Sequence, residues 1–420
     1  MRRSLAITSL TEAIVLISYF LTFQSVASHL GTPAFEQYVL ARRVLSLLFP
    51  LAVLGMDVAV TRQAAMEEAS ARRGTDWVWA GLILVIGQGL LLGLVCLLLT
   101  RPLAYLFFGS ASYSTLLDSL PLLMIGMAVQ GVVYGSLRGG FRVVMANLLM
   151  ALTFGAIPLV AVFSPGGSVP IVLTATGAAW LAVSFLFVLG HRPNWRALRA
   201  RIVTLGRYGL PRVPGDVVLL ALFAAPPVLL THVADLSVAA AVGFGMTIVR
   251  LAGSLLAPVT FFVLPHAARG FAQGEIHRLR TQVIRLAVIA IPALALGTVV
   301  IELLSLPLLS VIAKSALVPH VAAIRIVAAS LFPWGIFIVL RGITDARFRV
   351  PVSTLCAALS LAVFLATATL LSSRMSVSDA VTIAFTASVY VLGLAIGLAA
   401  ALAVTLQLEN PEVPAVVQRG

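Results

Sequence analysis

The chain has little charge and almost no lysine. Charged residues make up 10% of its 420 positions, and lysine occurs once, as Lys314. No glycine-rich loop precedes that lysine, which excludes a Walker A nucleotide site. The six histidines, at 29, 191, 232, 266, 277 and 320, form neither an HExxH pair nor a metal-ligating cluster. A GxSxG nucleophile elbow is also missing. Cys96 and Cys356 stand apart inside apolar runs with no CxxC pairing, as packing residues do, and carry no redox information. The expectation is therefore a protein that is not an enzyme and holds no cofactor or metal. Any energy source is then an ion gradient, the membrane potential or the gradient of the substrate itself.

What the chain does have is apolar surface. It is 60% hydrophobic with a mean hydropathy of +1.08, more than a soluble globule of this length could hide from water. The reading is an all-α polytopic membrane protein. Twelve spans fall at about 5–28, 35–60, 77–99, 115–137, 143–163, 171–190, 210–231, 237–264, 283–306, 318–341, 350–371 and 378–405, each near the ~20 residues a bilayer core demands. Polar Thr8, Ser9, Thr11 and Glu12 interrupt the first stretch, which is read as a retained span rather than a cleaved signal.

In this threading nearly every arginine lies on one side, and Arg101, Lys314 and Arg374 lie on the other. By the positive-inside rule both termini are cytoplasmic. The net charge of +13 then marks topology beside an anionic leaflet, and nucleic acid is not needed to explain it.

The sequence also repeats itself. His29 is matched by His232 and Leu137-Arg138-Gly139 by Leu340-Arg341-Gly342, both at an offset of 203; Pro102 is matched by Pro307 at 205. Each half carries an even number of spans, so the repeats insert the same way up, related by an axis along the membrane normal. The expected domains are a six-helix bundle over 1–190, an amphipathic connector over 191–209, a second six-helix bundle over 210–408 and a tail over 409–420. In the connector Trp195, Leu198, Ile202 and Leu205 keep helical spacing, with Arg192, Arg196 and Arg199 on the other side, as in a helix lying on the membrane surface. Prolines inside spans, Pro50, Pro158, Pro258 and Pro292 among them, predict kinks.

Charges placed inside spans cost about 2.5–3.5 kcal/mol each on insertion scales and so need a reason. Arg250 sits some thirteen residues from either end of its span, about 20 Å along a helix rising about 1.5 Å per residue, too deep to snorkel. It faces either a wet cavity or a buried partner. Arg43 is its repeat mate at an offset of 207, with Arg42 beside it; these two are nearer the outer end, where snorkelling competes with a role in the cleft, and Glu36 is a candidate partner of Arg43. Arg325 lies about a third of the way into the tenth span. Among the acids, Glu12 and Asp216 are repeat mates at an offset of 204, and Asp57 closes the second span. They are read either as sites of H+ or Na+ coupling or as interfacial partners of nearby arginines. A cleft with more positive than negative charge suits an anionic ligand, since guanidinium grips phosphate oxygens in bidentate fashion.

Leu30-Gly31-Thr32-Pro33-Ala34-Phe35-Glu36-Gln37-Tyr38, running through Arg42-Arg43 and Pro50 to Gly55-Met56-Asp57, resembles the opening of polysaccharide-unit flippases. Leu137-Arg138-Gly139 through Asn147-Leu148-Leu149 resembles the same family's loop between spans four and five. These are the O-antigen-unit (Wzx-type) members of the multidrug/oligosaccharidyl-lipid/polysaccharide exporter superfamily, which is MATE-like. The resemblance implies two six-helix bundles forming a V. It also implies transport of an undecaprenyl-pyrophosphate-linked oligosaccharide across the bacterial inner membrane for polysaccharide and lipopolysaccharide assembly, with Arg250, Arg43, Arg42 and Arg325 drawing the pyrophosphate into the cleft. The expected partners are this lipid-linked oligosaccharide, membrane lipids and polysaccharide assembly enzymes, and the expected state is a monomer. Twelve spans rather than fourteen disfavour the lipid II flippase branch. The alternatives are a MATE-like multidrug or small-metabolite antiporter and a membrane-embedded glycan transferase or polymerase; the latter generally needs a large outer loop, which this chain lacks.

Overall fold

The computed structural model describes residues 2–69, 76–189, 195–256, 273–312, 317–348 and 351–405, together with Val263, Ala267, Gly270 and Phe271. Pro258, Lys314 and the tail 409–420 lie outside the described residues. Among the described residues there is no strand. The first half consists of α1 (Arg2–His29), α2 (Thr32–Val53), α3 (Met56–Ala69), α4 (Asp76–Leu98), α5 (Thr100–Phe108), α6 (Ser114–Asp118), α7 (Leu120–Gly139), α8 (Val143–Met150), a π-helical turn (Ala151–Ala156), α9 (Ile157–Ala161) and α10 (Val169–Leu186). The connector is α11 (Trp195–Gly209). The second half follows as α12 (Val213–Val233), α13 (Leu236–Ser254), α14 (Ile276–Ile312), α15 (Val321–Ala328), α16 (Leu331–Arg347), α17 (Val352–Ser372) and α18 (Val377–Thr405). Eleven segments of the described residues are long and apolar enough to span a bilayer, or twelve when the bent pair α2 and α3 is counted as one.

That bent pair is the span read at 35–60, and its bend falls elsewhere than at the proline expected to kink it. Gly31, at φ 86, precedes α2, and Pro33 occupies its first turn. The kink does not come at Pro50, whose carbonyl still accepts the Leu54 amide. The chain breaks four residues later, where Leu54 (φ 52) and Gly55 (φ 68) both adopt the left-handed conformation, and the next helix departs at 48°. Asp57 begins α3, where a carboxylate meets the positive end of the helix dipole. The span placed at 283–306 is also longer than expected. The 37 residues of α14 reach about 55 Å at about 1.5 Å per residue, well beyond a hydrocarbon core of about 30 Å.

Close packing inside the membrane is built on small residues. A methyl group on Gly126 of α7 would lie 2.6 Å from the Gly177 carbonyl of α10, so these helices touch backbone to backbone. In the π-helical turn the register shift frees the Thr153 carbonyl, which accepts the Trp180 indole N–H. Buried hydroxyls satisfy themselves one turn back, as Thr176 does on Val172 (2.7 Å) and Ser360 on Cys356 (2.8 Å). Leucines such as Leu90, Leu94 and Leu98 of α4 are more than half exposed, which against lipid carries no hydrophobic cost.

The halves meet along α2, which packs against α12 and α13, with further contacts of α1 to α14 and of α5 to α12. Toward the arginine-poor end an aromatic cluster seals the contact. Phe244 of α13 lies 5.3 Å from Phe23 and 5.7 Å from Phe35, and Phe23 lies 5.5 Å from Tyr38. At that end His232 Nε2 donates to the Leu106 carbonyl (2.9 Å) and packs edge-on to Tyr105 (5.2 Å), joining α12 to α5. The connector α11 packs on α3 and α4 of the first half. A methyl on Gly209 at its end would lie 2.6 Å from the Leu54 carbonyl, so the connector is anchored at the α2–α3 break.

Candidate anion site between the halves

Arg42 and Arg43 on α2 and Arg250 on α13 are brought within electrostatic range of one another, from opposite halves of the chain. Arg43 is 4% exposed. One of its terminal nitrogens donates to Thr247 Oγ1 on α13, and Thr247 in turn donates to the Gly243 carbonyl (2.9 Å). Its Nε and other terminal nitrogen are buried without a hydrogen-bond partner among the described residues. The guanidinium of Arg42 lies over the Tyr19 ring at 4.9 Å, and Arg250 is partly exposed.

No carboxylate among the described residues lies within ion-pair distance of any of the three. Glu36, the partner considered for Arg43, instead senses Asp235. Three like charges in a low-dielectric interior repel, and a buried cation without a counter-ion costs several kcal/mol. Such an arrangement is stabilised by an anion of more than one charge.

Arg325 does not join the group. It is exposed on α15, where its Nε donates to Ser305 Oγ on α14 (2.9 Å). Thr247, Tyr19 and the two unpartnered nitrogens of Arg43 were not read from sequence. Thr247 lies one turn before Arg250 on the same face, a spacing that could have suggested it.

The acids occupy the other level, toward the arginine-rich end. Glu12 on α1 interacts with Arg138 and Tyr134 of α7. Asp216 on α12 interacts with Arg341 of α16, with Arg212, and with Asp57 of the opposite half. The Asp57 carboxylate accepts from its own and the Val58 backbone amide at the start of α3. Tyr208 of α11 lies under Arg62 and Arg212, both at 4.5 Å, and its hydroxyl accepts from Arg212 (2.7 Å). Among the described residues no group of three or more His, Cys, Asp or Glu could hold a metal.

No family model matches the sequence. No curated protein matches it either. Solved structures do match, over nearly the whole chain. An inward-facing multidrug resistance MATE family transporter of the MOP superfamily superposes with a TM-score of 0.75 at 15% identity, over 94% of this chain and 98% of that one. A Vibrio cholerae MATE transporter gives 0.70 at 17% identity over 95% and 96%. A MOP superfamily transporter from Pyrococcus furiosus, described as having a binding pocket of reverse polarity that suggests a different function, gives 0.68 at 15% identity over 95% and 96%. The fold is therefore that of the MATE-type transporters, an all-α polytopic membrane protein of two six-helix bundles, as expected from the repeat.

Proposed function

We propose that this chain is a flippase that moves an undecaprenyl-pyrophosphate-linked oligosaccharide across the bacterial plasma membrane for polysaccharide or O-antigen assembly. The observation that carries the reading is the arginine group shared by α2 and α13, which has no acid among the described residues within ion-pair distance to neutralise it. Arg43, with two unpartnered nitrogens, and Arg250 grip the diphosphate, and Arg42 adds charge from its seat on Tyr19. The prenyl tail stays in lipid while the halves rock, and both termini face the cytoplasm, where the arginines of the loops place them. Glu12, Asp57 and Asp216 are the groups proposed for H+ or Na+ coupling. Arg325, occupied by Ser305 and exposed, is outside the diphosphate site.

A second reading, a MATE-like multidrug or metabolite antiporter, draws on the multidrug transporters that share the fold. Sign of charge separates the two, because an organic cation finds no counter-charge among the described residues at the arginine level. The test is reconstitution: purified protein in liposomes is supplied with a fluorescent lipid-diphosphate oligosaccharide, and its movement between leaflets is followed by quenching. Flipping is the expected result. Efflux of organic cations with no movement of the lipid would overturn it. Equal flipping with and without imposed proton and sodium gradients would remove the coupling role of the acids.

A further inference from the structure

The second half carries a cavity that the arginine site between the halves does not use. Leu279, Gln282, Val283 and Leu286 recur at helical spacing along the first turns of α14, and with Ile343 of α16, Val263 and Ala267 they line a slot of about 310 Å³. Its inner wall belongs to a small apolar core in which Leu279 and Ile343 meet Ala400, Ala403 and Val404 of α18. Leu279 and Ile343 are buried while Gln282 is exposed, so the slot opens on the glutamine side. Next to it on α14, Ile284, Val288 and Ile289 are more than half exposed, as side chains are against lipid. Arg278 and Arg285 stand on the helical stripe of Gln282, one turn before it and one turn after, and Arg280 stands on the opposite flank of the slot; all three are exposed. Arg278 is paired with Glu275 at 3.1 Å, an exposed pair of little weight. Arg280 and Arg285 have no hydrogen-bond or ion-pair partner among the described residues. The uncharged run of α14 begins just past Arg285, which puts the arginines at headgroup level and the slot at the top of the lipid chains.

We propose that this slot binds an anionic phospholipid of the surrounding bilayer. One acyl chain enters between α14 and α16, and the phosphate meets Gln282 and Arg285, with Arg278 and Arg280 adding charge. An apolar slot with arginines on its lip matches a molecule that is alkyl at one end and anionic at the other; a soluble anion leaves the slot unused, and a neutral lipid leaves the arginines unused. The slot is at the small end of ligand cavities, which run from about 300 to 1,000 Å³, and has room for a single chain. It is built by the second half alone, away from the contact of α2 with α13, so its occupant is a membrane lipid and not the transported molecule. The site is independent of what the transporter carries. A chain held there braces α14 against α16, one of the helices on which it packs.

The full chain in detergent is tested by native mass spectrometry with phosphatidylglycerol and, as the zwitterionic control, phosphatidylcholine bearing the same chains. Retention of one phosphatidylglycerol in preference to phosphatidylcholine is the expected result. Arg285→Gln should weaken phosphatidylglycerol binding about fivefold and leave phosphatidylcholine unchanged, and Arg285→Lys should keep most of the affinity. Val283→Phe, which fills the slot, should weaken both lipids. Arg196→Gln removes the same charge from the exposed face of α11 at the same end of the molecule and should change neither. Phosphatidylglycerol should also raise the melting temperature of the wild type and of Arg196→Gln, and should not raise that of Val283→Phe. If Val283→Phe does not fold, the selective loss in Arg285→Gln decides. Equal retention of the two lipids by the wild type, or wild-type binding by Val283→Phe, would overturn the site. A loss in Arg196→Gln as large as that in Arg285→Gln would overturn it too, by assigning the lipid to the diffuse charge of the arginine-rich face.

Discussion

The two ends of the bundle pair treat the internal repeat differently. At the arginine-rich end the halves mirror one another: Glu12, Tyr134 and Arg138 find their counterparts in Asp216, Phe337 and Arg341. At mid-depth and at the opposite end the mirror is broken. Arg43 bonds Thr247 while Arg250 does not reciprocate, and His232 bonds the Leu106 carbonyl across the halves while His29 packs on Phe163 of its own half at 4.8 Å. Symmetry survives where the ring and the arginine stand on one helix of their own half. It is lost where the halves touch, since α2 packs on both α12 and α13 and only one member of each repeat pair can occupy a shared contact. The interface is therefore where function departs from duplication.

That contrast can be broken experimentally. The largest effect is expected at mid-depth, where Arg250→Gln should lower lipid-diphosphate flipping in proteoliposomes by roughly ten- to a hundredfold, the weight of a charge-assisted contact. Arg43→Gln should do the same and also lose the tie to Thr247. Next is Gly126→Val. Its side chain would meet the Gly177 carbonyl, so overpacking of about 1–3 kcal/mol should appear as a lower melting temperature in detergent. Thr247→Val removes the bond between the halves but no charge; a stability loss of about 1 kcal/mol with diphosphate binding retained is expected. The smallest effect distinguishes the repeat mates at the arginine-poor end. His232→Phe should raise the labelling of a cysteine placed at Thr231 by a membrane-impermeant maleimide, and His29→Phe should leave it unchanged. Equal responses to the two histidine changes would show that the closure is symmetric after all.

Much of this architecture was legible in the sequence because the signals were long. Apolar runs of bilayer length and the nearly constant offset near 203 each extend over many residues and need no tertiary information. Short-range events were not legible. The α2–α3 break falls on Leu54, a residue with no preference for the left-handed region, and not on Pro50, where a kink was expected. Arg325 turns to Ser305 on α14, a side-chain direction that span position does not give. The pairing of Glu36 failed for a directional reason: seven residues along a helix place it on the face of Arg43 but two turns away, beside Asp235. Tyr134 and Phe337 could have been found, since the repeat offset that joined the arginines joins the rings one turn earlier.

The most direct measurement is leaflet-to-leaflet movement of a fluorescent diphosphate-linked oligosaccharide lipid by the wild type and by Arg250→Gln in matched liposomes. Rapid movement by the wild type and near-background movement by the variant is the expected pair of results. Equal rates for the two, or a wild type that moves organic cations and leaves the lipid where it started, would contradict the central role given to the arginines between the halves.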